Sequence, residues 1–397
     1  MWGPPVEAAT VDGSASVWTY FRDDSVDHAI VVPTLSLNFR RLAGDALRFE
    51  TSLRGYSDFR NGESNDEQLR VLRGVLICAP KDSPWEARLG QQWLTEGVGR
   101  GNVAGPWVRR KFGQSSLTVY GGARLQSSLS LSEKNANNGY AAGLHARTKL
   151  GMVKLGASYF YLGKSGDVLF QGAGVEAEAK PVRNLLTRGR LDLNLSQSAI
   201  EIAQVLADWT PQKSVQVTGE FRIQTPRIFE DSYFTRFLEE ASTTHLRGGA
   251  RWNFWEDKYA TVNGVTLFSV NPDPLYKVRF GLGMDDVEAG YTHWLTVSGG
   301  EMDGFYGRLH GDMEIDQRKL GEVFGGFDFA RGSNADVNLR PKNESQSIYL
   351  GLSVNPVQAL SVSATAEQLR DLDSKKEWRG IFSIGYRFAG ARPEAHP

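Results

Sequence analysis

A few short stretches carry residue types that could do chemistry. Gly163-Lys164-Ser165 has the ending of a phosphate-binding loop, in which backbone N–H groups and a lysine cradle phosphate. That loop also needs a glycine five residues ahead of the one before the lysine, and Ser158 stands there. Gly97-Val98-Gly99-Arg100-Gly101 begins like a dinucleotide fingerprint, but lacks the third glycine at the required spacing and a helix behind it. Arg308, His310 and Asp312 alternate, which puts all three on one face of an extended chain. Two residues apart on a strand is too common a spacing to define a site. The other histidines, at 28, 145, 245, 293 and 396, show no HxxxH or HExxH metal spacing. No GxSxG nucleophile elbow occurs. A single cysteine, Cys78, excludes an intrachain disulfide framework, a CxxC zinc site and CxxCH haem attachment. The expectation is a non-enzyme with no cofactor and no metal.

Composition narrows the class. The chain has 397 residues with 45 basic against 46 acidic side chains, a formal net charge of −1. That balance argues against a nucleic-acid binder and against an acidic solvating chain. Mean hydropathy is −0.36, and no window approaches the roughly 18 apolar residues of a membrane helix. The 43 glycines, 11% aromatics and only five methionines suggest β structure. Met1-Trp2-Gly3-Pro4-Pro5 has neither a basic start nor an apolar core, so it is no signal peptide. Either the protein stays in the cytoplasm, or this is a mature form with an initiator Met.

The elements that would position any site announce themselves by alternation. In Val215–Gln224, Val215, Val217, Gly219, Phe221 and Ile223 oppose Gln216, Thr218, Glu220, Arg222 and Gln224. Residues 47–55 and 276–284 do the same. Period two with one greasy and one polar face is a half-buried strand. About 22 such segments (window 18–22) can be read, the weakest starting near residues 85, 104 and 168. Long polar connections, at 58–67, 126–137, 225–243 and 331–344, all follow odd-numbered strands. Tight turns, at 112–115, 150–152, 211–213 and 355–358, all follow even-numbered ones. Long loops at one end and short turns at the other predict a closed antiparallel transmembrane β-barrel. Closure pairs every backbone N–H and C=O internally, as hydrocarbon demands.

The last strand carries a resemblance. Trp378, Gly380, Phe382, Ile384, Tyr386 and Phe388 alternate along it, ending Tyr386-Arg387-Phe388. This resembles the C-terminal insertion signal of bacterial outer-membrane β-barrel proteins of the porin-like kind, here with nine residues after the aromatic. The resemblance implies outer-membrane lipid as the surroundings, recognition by the barrel assembly machinery through Phe382, Ile384, Tyr386 and Phe388, and a removed signal peptide. The implied organisation is an N-terminal periplasmic segment at 1–12, a barrel at 13–388 and a periplasmic tail at 389–397.

In such a barrel the polar faces line the lumen. They place Arg40, Arg48, Arg54, Arg124, Arg147, Lys149, Lys154, Arg190, Arg222, Arg247, Arg251, Lys277, Arg279, Arg308, Arg379 and Arg387 inward, with Glu50, Asp192, Glu220, Glu288, Asp312 and Glu367 as the inward acids. Basic groups lead by roughly two to one, and a basic lumen favours anions. The competing reading is cross-strand bracing, in which each arginine pairs with a neighbouring carboxylate. Two connections are candidates for a constriction or plug. In residues 225–243, Phe229, Tyr233, Phe234 and Phe237 have helical spacing. In residues 95–105, a glycine-rich loop could fold inward and bring Arg100 or Arg109 near the axis. Cys78 falls on the apolar alternate set. The functional expectation is a channel for small polar, possibly anionic, solutes. The alternatives are a sheath that houses or docks a partner protein such as a multihaem cytochrome, and a soluble all-β binding protein.

Overall fold

The computed structural model describes residues 9–23, 28–59, 68–125, 139–225, 242–268, 275–296, 300–316, 318–333, 343–370 and 376–389. Twenty-two long strands form one sheet. They are β1 Thr10–Asp23, β2 His28–Arg40, β3 Leu47–Asp58, β4 Gln68–Cys78, β5 Trp85–Glu96, β6 Gly99–Phe112, β7 Ser115–Leu125, β8 Tyr140–Leu150, β9 Val153–Lys164, β10 Asp167–Val182, β11 Leu185–Asn194, β12 Ala199–Gln212, β13 Val215–Gln224, β14 Thr243–Asn253, β15 Lys258–Phe268, β16 Leu275–Met284, β17 Val287–Thr296, β18 Glu301–Ile315, β19 Arg318–Ser333, β20 Asn343–Val357, β21 Leu360–Arg370 and β22 Lys376–Ala389. A four-residue extended piece, Leu42–Asp45, sits in the β2–β3 connection.

Each strand pairs antiparallel with its neighbours in sequence, and β1 pairs with β22 from Asp12↔Ala389 to Asp23↔Trp378, which closes the ring. The expected strand count and the asymmetry of connections are both present. Two strand starts differ from the sequence reading by three residues or more. β1 starts at Thr10, and β6 starts at Gly99 instead of near 104. A circular ring of this strand number, with strands ~4.8 Å apart and tilted about 40°, is roughly 40 Å across.

The two faces of the sheet are unmistakable. Side chains of strands that are not neighbours can meet only on the inside of a ring. Arg190 on β11 reaches the β5–β6 turn at Gly97, so the face bearing Arg190 is the inner one. Registers then carry this assignment around the barrel. The outer face is apolar and open: Leu350, Val205 and Phe305 are 62%, 58% and 56% exposed. Aromatic side chains gather at its two ends. Phe112, Trp209 and Trp252 mark the short-turn end, and Tyr140, Phe268, Tyr276 and Trp378 the other. Trp209 at the short-turn end of β12 lies outward beside Val205, with Ile200 at the other end of the same strand.

This arrangement makes a sharp prediction. Leu350→Arg, in the middle of the outer band, should lower stability by about 2–4 kcal/mol in a lipid bilayer. Ser353→Arg, on the inner face of the same strand, should change it by less than about 1 kcal/mol. Urea titration in lipid vesicles, read by gel-shift of the folded band, checks both.

Candidate functional site

The inner face carries two features that bear on function: a hairpin folded into the lumen and a basic arc on the wall beyond it. The hairpin is β5–β6. β4 pairs with β5 only from Gly74↔Gln91 to Cys78↔Ala87, a much shorter ladder than its neighbours have. Beyond that point β5 leaves the wall. Gly90 lies at the departure with φ 128°. A Cβ there would collide with the carbonyl oxygen of Gly74, so the bend requires glycine. β5 and β6 stay paired with each other up to Glu96↔Gly99. The tip is the two-residue turn Gly97-Val98.

The tip is anchored on the opposite strands. Val98 is fully buried and its N–H donates to Ser158 Oγ on β9 at 2.9 Å. Arg190 Nη2 donates to the Gly97 carbonyl at 2.7 Å and pairs with Asp192 at 2.6 Å. Gly172 and Gly174 on β10 leave the recess that Val98 fills, since a Cβ on Gly172 would lie 2.8 Å from a Val98 methyl. Leu94, Val98, Val103, Trp107, Tyr120, Phe160, Leu162 and Phe170 form the buried cluster around it. Each such side chain contributes about 1.5–3 kcal/mol when removed from water, so the hairpin is a packed element and not a loose flap.

Charged groups complete the anchor. Glu96 accepts from Arg109 Nη2 at 2.8 Å and contacts His145 Nδ1 at 2.9 Å. The other ring nitrogen of His145 contacts Glu176 at 3.2 Å, and Arg147 Nε donates to Glu176 at 3.0 Å. Arg109 also lies 4.7 Å from the Trp107 ring and Arg88 3.9 Å from it. The chain Arg109–Glu96–His145–Glu176–Arg147 thus ties the hairpin to β8 and β10.

The basic arc spans β13 to β18. Arg222, Arg247, Arg251, Lys277, Arg279 and Arg308 point inward there, against Glu220, Glu288 and, at the short-turn end of β18, Asp312 and Glu314. Glu220 is 3.9 Å from Arg247, at the edge of an ion pair. Glu288 is engaged by hydroxyls: Tyr259 and Tyr306 donate to it at 2.9 and 2.7 Å. The cations lie on aromatic faces instead. Arg279 is 3.5 Å from the Tyr306 ring, Arg251 3.8 Å from Tyr259 and Lys277 4.7 Å from Trp294. Such contacts hold a cation without cancelling its charge. Arg308 has no ion-pair partner among the described residues.

Elsewhere the wall is braced. Arg48 and Arg73 share Glu50 at 3.1 and 2.5 Å. Arg22 and Arg379 share Glu377 at 2.7 and 2.5 Å, and Arg40 meets Asp12 at 3.0 Å. The bracing reading therefore describes Arg48, Arg109 and Arg147, while Arg222, Arg247, Arg251, Arg279 and Arg308 form the arc. Arg54 faces inward opposite Thr34, and Arg124 opposite Val103.

Three corrections follow. Residues 95–105 are not a loop but paired strand ends with a two-residue turn. The segment does fold inward, yet Arg100 is on its exposed face, and Arg109 is bound to Glu96 on the wall. The inward acids are also more numerous than the sequence reading had them, since Glu86, Glu96, Glu176, Glu178, Glu322 and Glu377 share the inner face. A two-to-one basic excess does not hold for the ring as a whole. Phe229, Tyr233, Phe234 and Phe237 lie outside the described residues. Phe382, Ile384, Tyr386 and Phe388 all lie on the outer face of β22. Sequence reasoning placed Arg190 inward but missed its contact with Gly97, and missed Val98 and Ser158. The available signal was the pair Gly172 and Gly174 at inward positions, which marks a recess.

No protein-family model and no curated relative matches the chain. Solved structures align with it over most of its length. The P pilus usher translocation pore PapC aligns with a TM-score of 0.49 at 11% identity, covering 96% of this chain and 99% of the other. OccAB3 of Acinetobacter baumannii gives 0.47 at 9% identity, covering 96% and 99%. The outer membrane protein OprD of Pseudomonas aeruginosa gives 0.44 at 8% identity, covering 96% and 94%. The class defined by the strand register is a closed 22-stranded antiparallel β-barrel.

Proposed function

We propose that the chain spans the bacterial outer membrane as a porin-like channel for small polar solutes, with a preference for anions. The observation that supports membrane insertion is the outer face: a continuous apolar surface between two aromatic belts, on a ring with no open edge. In water so large an apolar surface would drive aggregation. In lipid it is the stable arrangement. The amphipathic β22, with Phe388 near its end, suits recognition by the barrel assembly machinery. The arc on β13–β18 supplies the anion preference, because cations held on aromatic rings keep their field in the lumen. The β5–β6 hairpin narrows the path and leaves the arc as its wall.

Planar-bilayer recording of the refolded protein tests this. The expected result is stable steps of conductance with a reversal potential favouring anions in a salt gradient. A protein that stays soluble without detergent, or steps with no anion preference, contradicts the proposal in its first or second part respectively.

A further inference from the structure

At the short-turn end of β18 and β19 the inner wall changes character. His310 and Asp312 lie two residues apart on β18, and Glu322 faces Asp312 across the ladder. One ligand atom from each of the three lies within 4.8 Å of the others. His310 Nε2 is 3.1 Å from Glu322 and 4.0 Å from Asp312. Glu314, opposite Lys319, adds a third carboxylate to the same end of the face. Lys319 Nζ, 2.6 Å from Asp312, stands against these acids. Arg308, two residues from His310, faces Glu288 across the neighbouring ladder. In a lumen whose other acids are mostly held by arginine, this is a patch with more carboxylate than cation.

We propose that His310, Asp312 and Glu322 form a binding site for a divalent transition metal ion, Zn2+ or a close relative, on the inner wall. A metal with nitrogen and oxygen ligands at 2.0–2.2 Å brings its donor atoms to about 3–3.4 Å from one another. The His310–Glu322 separation already fits, and Asp312, 4.0 Å from His310, has to close toward them. One imidazole with two carboxylates suits Zn2+, Mn2+ or Co2+ and disfavours Mg2+ and Ca2+, which take oxygen. The His310 backbone N–H donates to the Asp286 carbonyl at 2.7 Å, which fixes the strand that carries two of the ligands. All three side chains are 40–45% exposed, so an ion can enter from the lumen and water can complete its shell. The Lys319 ammonium occupies the position of a competing cation. It is itself exposed, 52%, and can swing away when a metal arrives.

The test uses the full chain in detergent micelles, purified without a polyhistidine tag. Zn2+ is titrated by calorimetry, and Co2+ by its visible absorption, which reports nitrogen and oxygen ligation. The expected result is one ion per chain, with His310→Ala and Glu322→Gln each weakening binding at least about tenfold. Lys319→Ala should bind more tightly than the unchanged protein, since it removes the competitor. Heat-modifiability of the folded band on gels confirms that every variant is a closed barrel. Absence of stoichiometric binding by the unchanged protein, or equal affinity in folded His310→Ala, would falsify the site.

Discussion

The double substitution Arg247→Glu/Arg308→Glu should abolish or invert anion preference while leaving the barrel folded. Both side chains are exposed to the lumen, and neither has a close carboxylate partner among the described residues: Arg247 is 3.9 Å from Glu220 and Arg308 has none. Each reversal sets a carboxylate opposite Glu220 or Glu288 across its ladder, so stability should fall by about 1 kcal/mol for each. The electrostatic effect is large because the arc loses two cations and gains two anions. The anion-to-cation permeability ratio should fall about threefold or more at 0.1 M salt. At 1 M salt the difference should nearly vanish, because the screening length shrinks from about 10 Å to about 3 Å. Arg48→Glu is the contrasting control. Arg48 shares Glu50 with Arg73, so the change unsettles a braced pair and moves selectivity little. Reversal potentials in a tenfold gradient, at both ionic strengths, decide the matter. Equal shifts from the arc pair and from Arg48 would show that position on the ring is irrelevant.

Excising the top of the β5–β6 hairpin should open the channel and weaken its selectivity together. Deleting residues 94–101 and joining Trp93 to Asn102 through two glycines removes Val98 and Glu96, and with them every contact the tip makes to β8–β11. The ring itself keeps its ladders, since β5 has already left β4 beyond Gln91. Conductance should rise by at least about twofold as the open cross-section grows. Anion preference should fall at the same time. At 0.1 M salt the field of the arc reaches only ~10 Å from the wall, against a ring roughly 40 Å across. Selectivity therefore needs the narrowing that the hairpin provides. A milder lesion, Val98→Asp, places a charge in the apolar recess at Gly172 and Gly174 and should give flickering steps between the two levels. Unchanged conductance in the excision variant would mean that the hairpin lies outside the permeation path.

The ring was largely legible before any coordinates, and for a physical reason. A wall between lipid and water assigns opposite chemistry to successive residues, so Val215–Gln224 displays its boundaries in its own alternation. The parity of long and short connections follows from the same closure. The hairpin was half legible. The glycines at 97, 99 and 101 mark a place where backbone can turn, but not where it goes. Its anchors lie 60 residues away at Ser158 and 93 away at Arg190, and no local pattern encodes that meeting. Taking residues 95–105 as a loop also hid Glu96, the acid on which the anchor turns. Uncertain strand bounds around residue 168 obscured Glu176 and Glu178, which made the ring look more basic than it is. Residues 225–243 had a clear helical spacing, and most of that segment lies outside the described residues.

The seam between β1 and β22 also sets the order in which this molecule can come into being. Every other ladder joins strands adjacent in the chain, so each can form as a local hairpin. The seam joins residues such as Thr19 and Phe382, which are 363 positions apart. Bringing such distant segments together costs about 2.5 kcal/mol more chain entropy than closing a twenty-residue hairpin. That charge falls on a single event. The sheet is therefore complete in all but one ladder before it becomes a ring, and its two unpaired edges must be shielded until the final strand arrives. β22 is thus the piece without which the preceding twenty-one strands remain an open, edge-exposed ribbon.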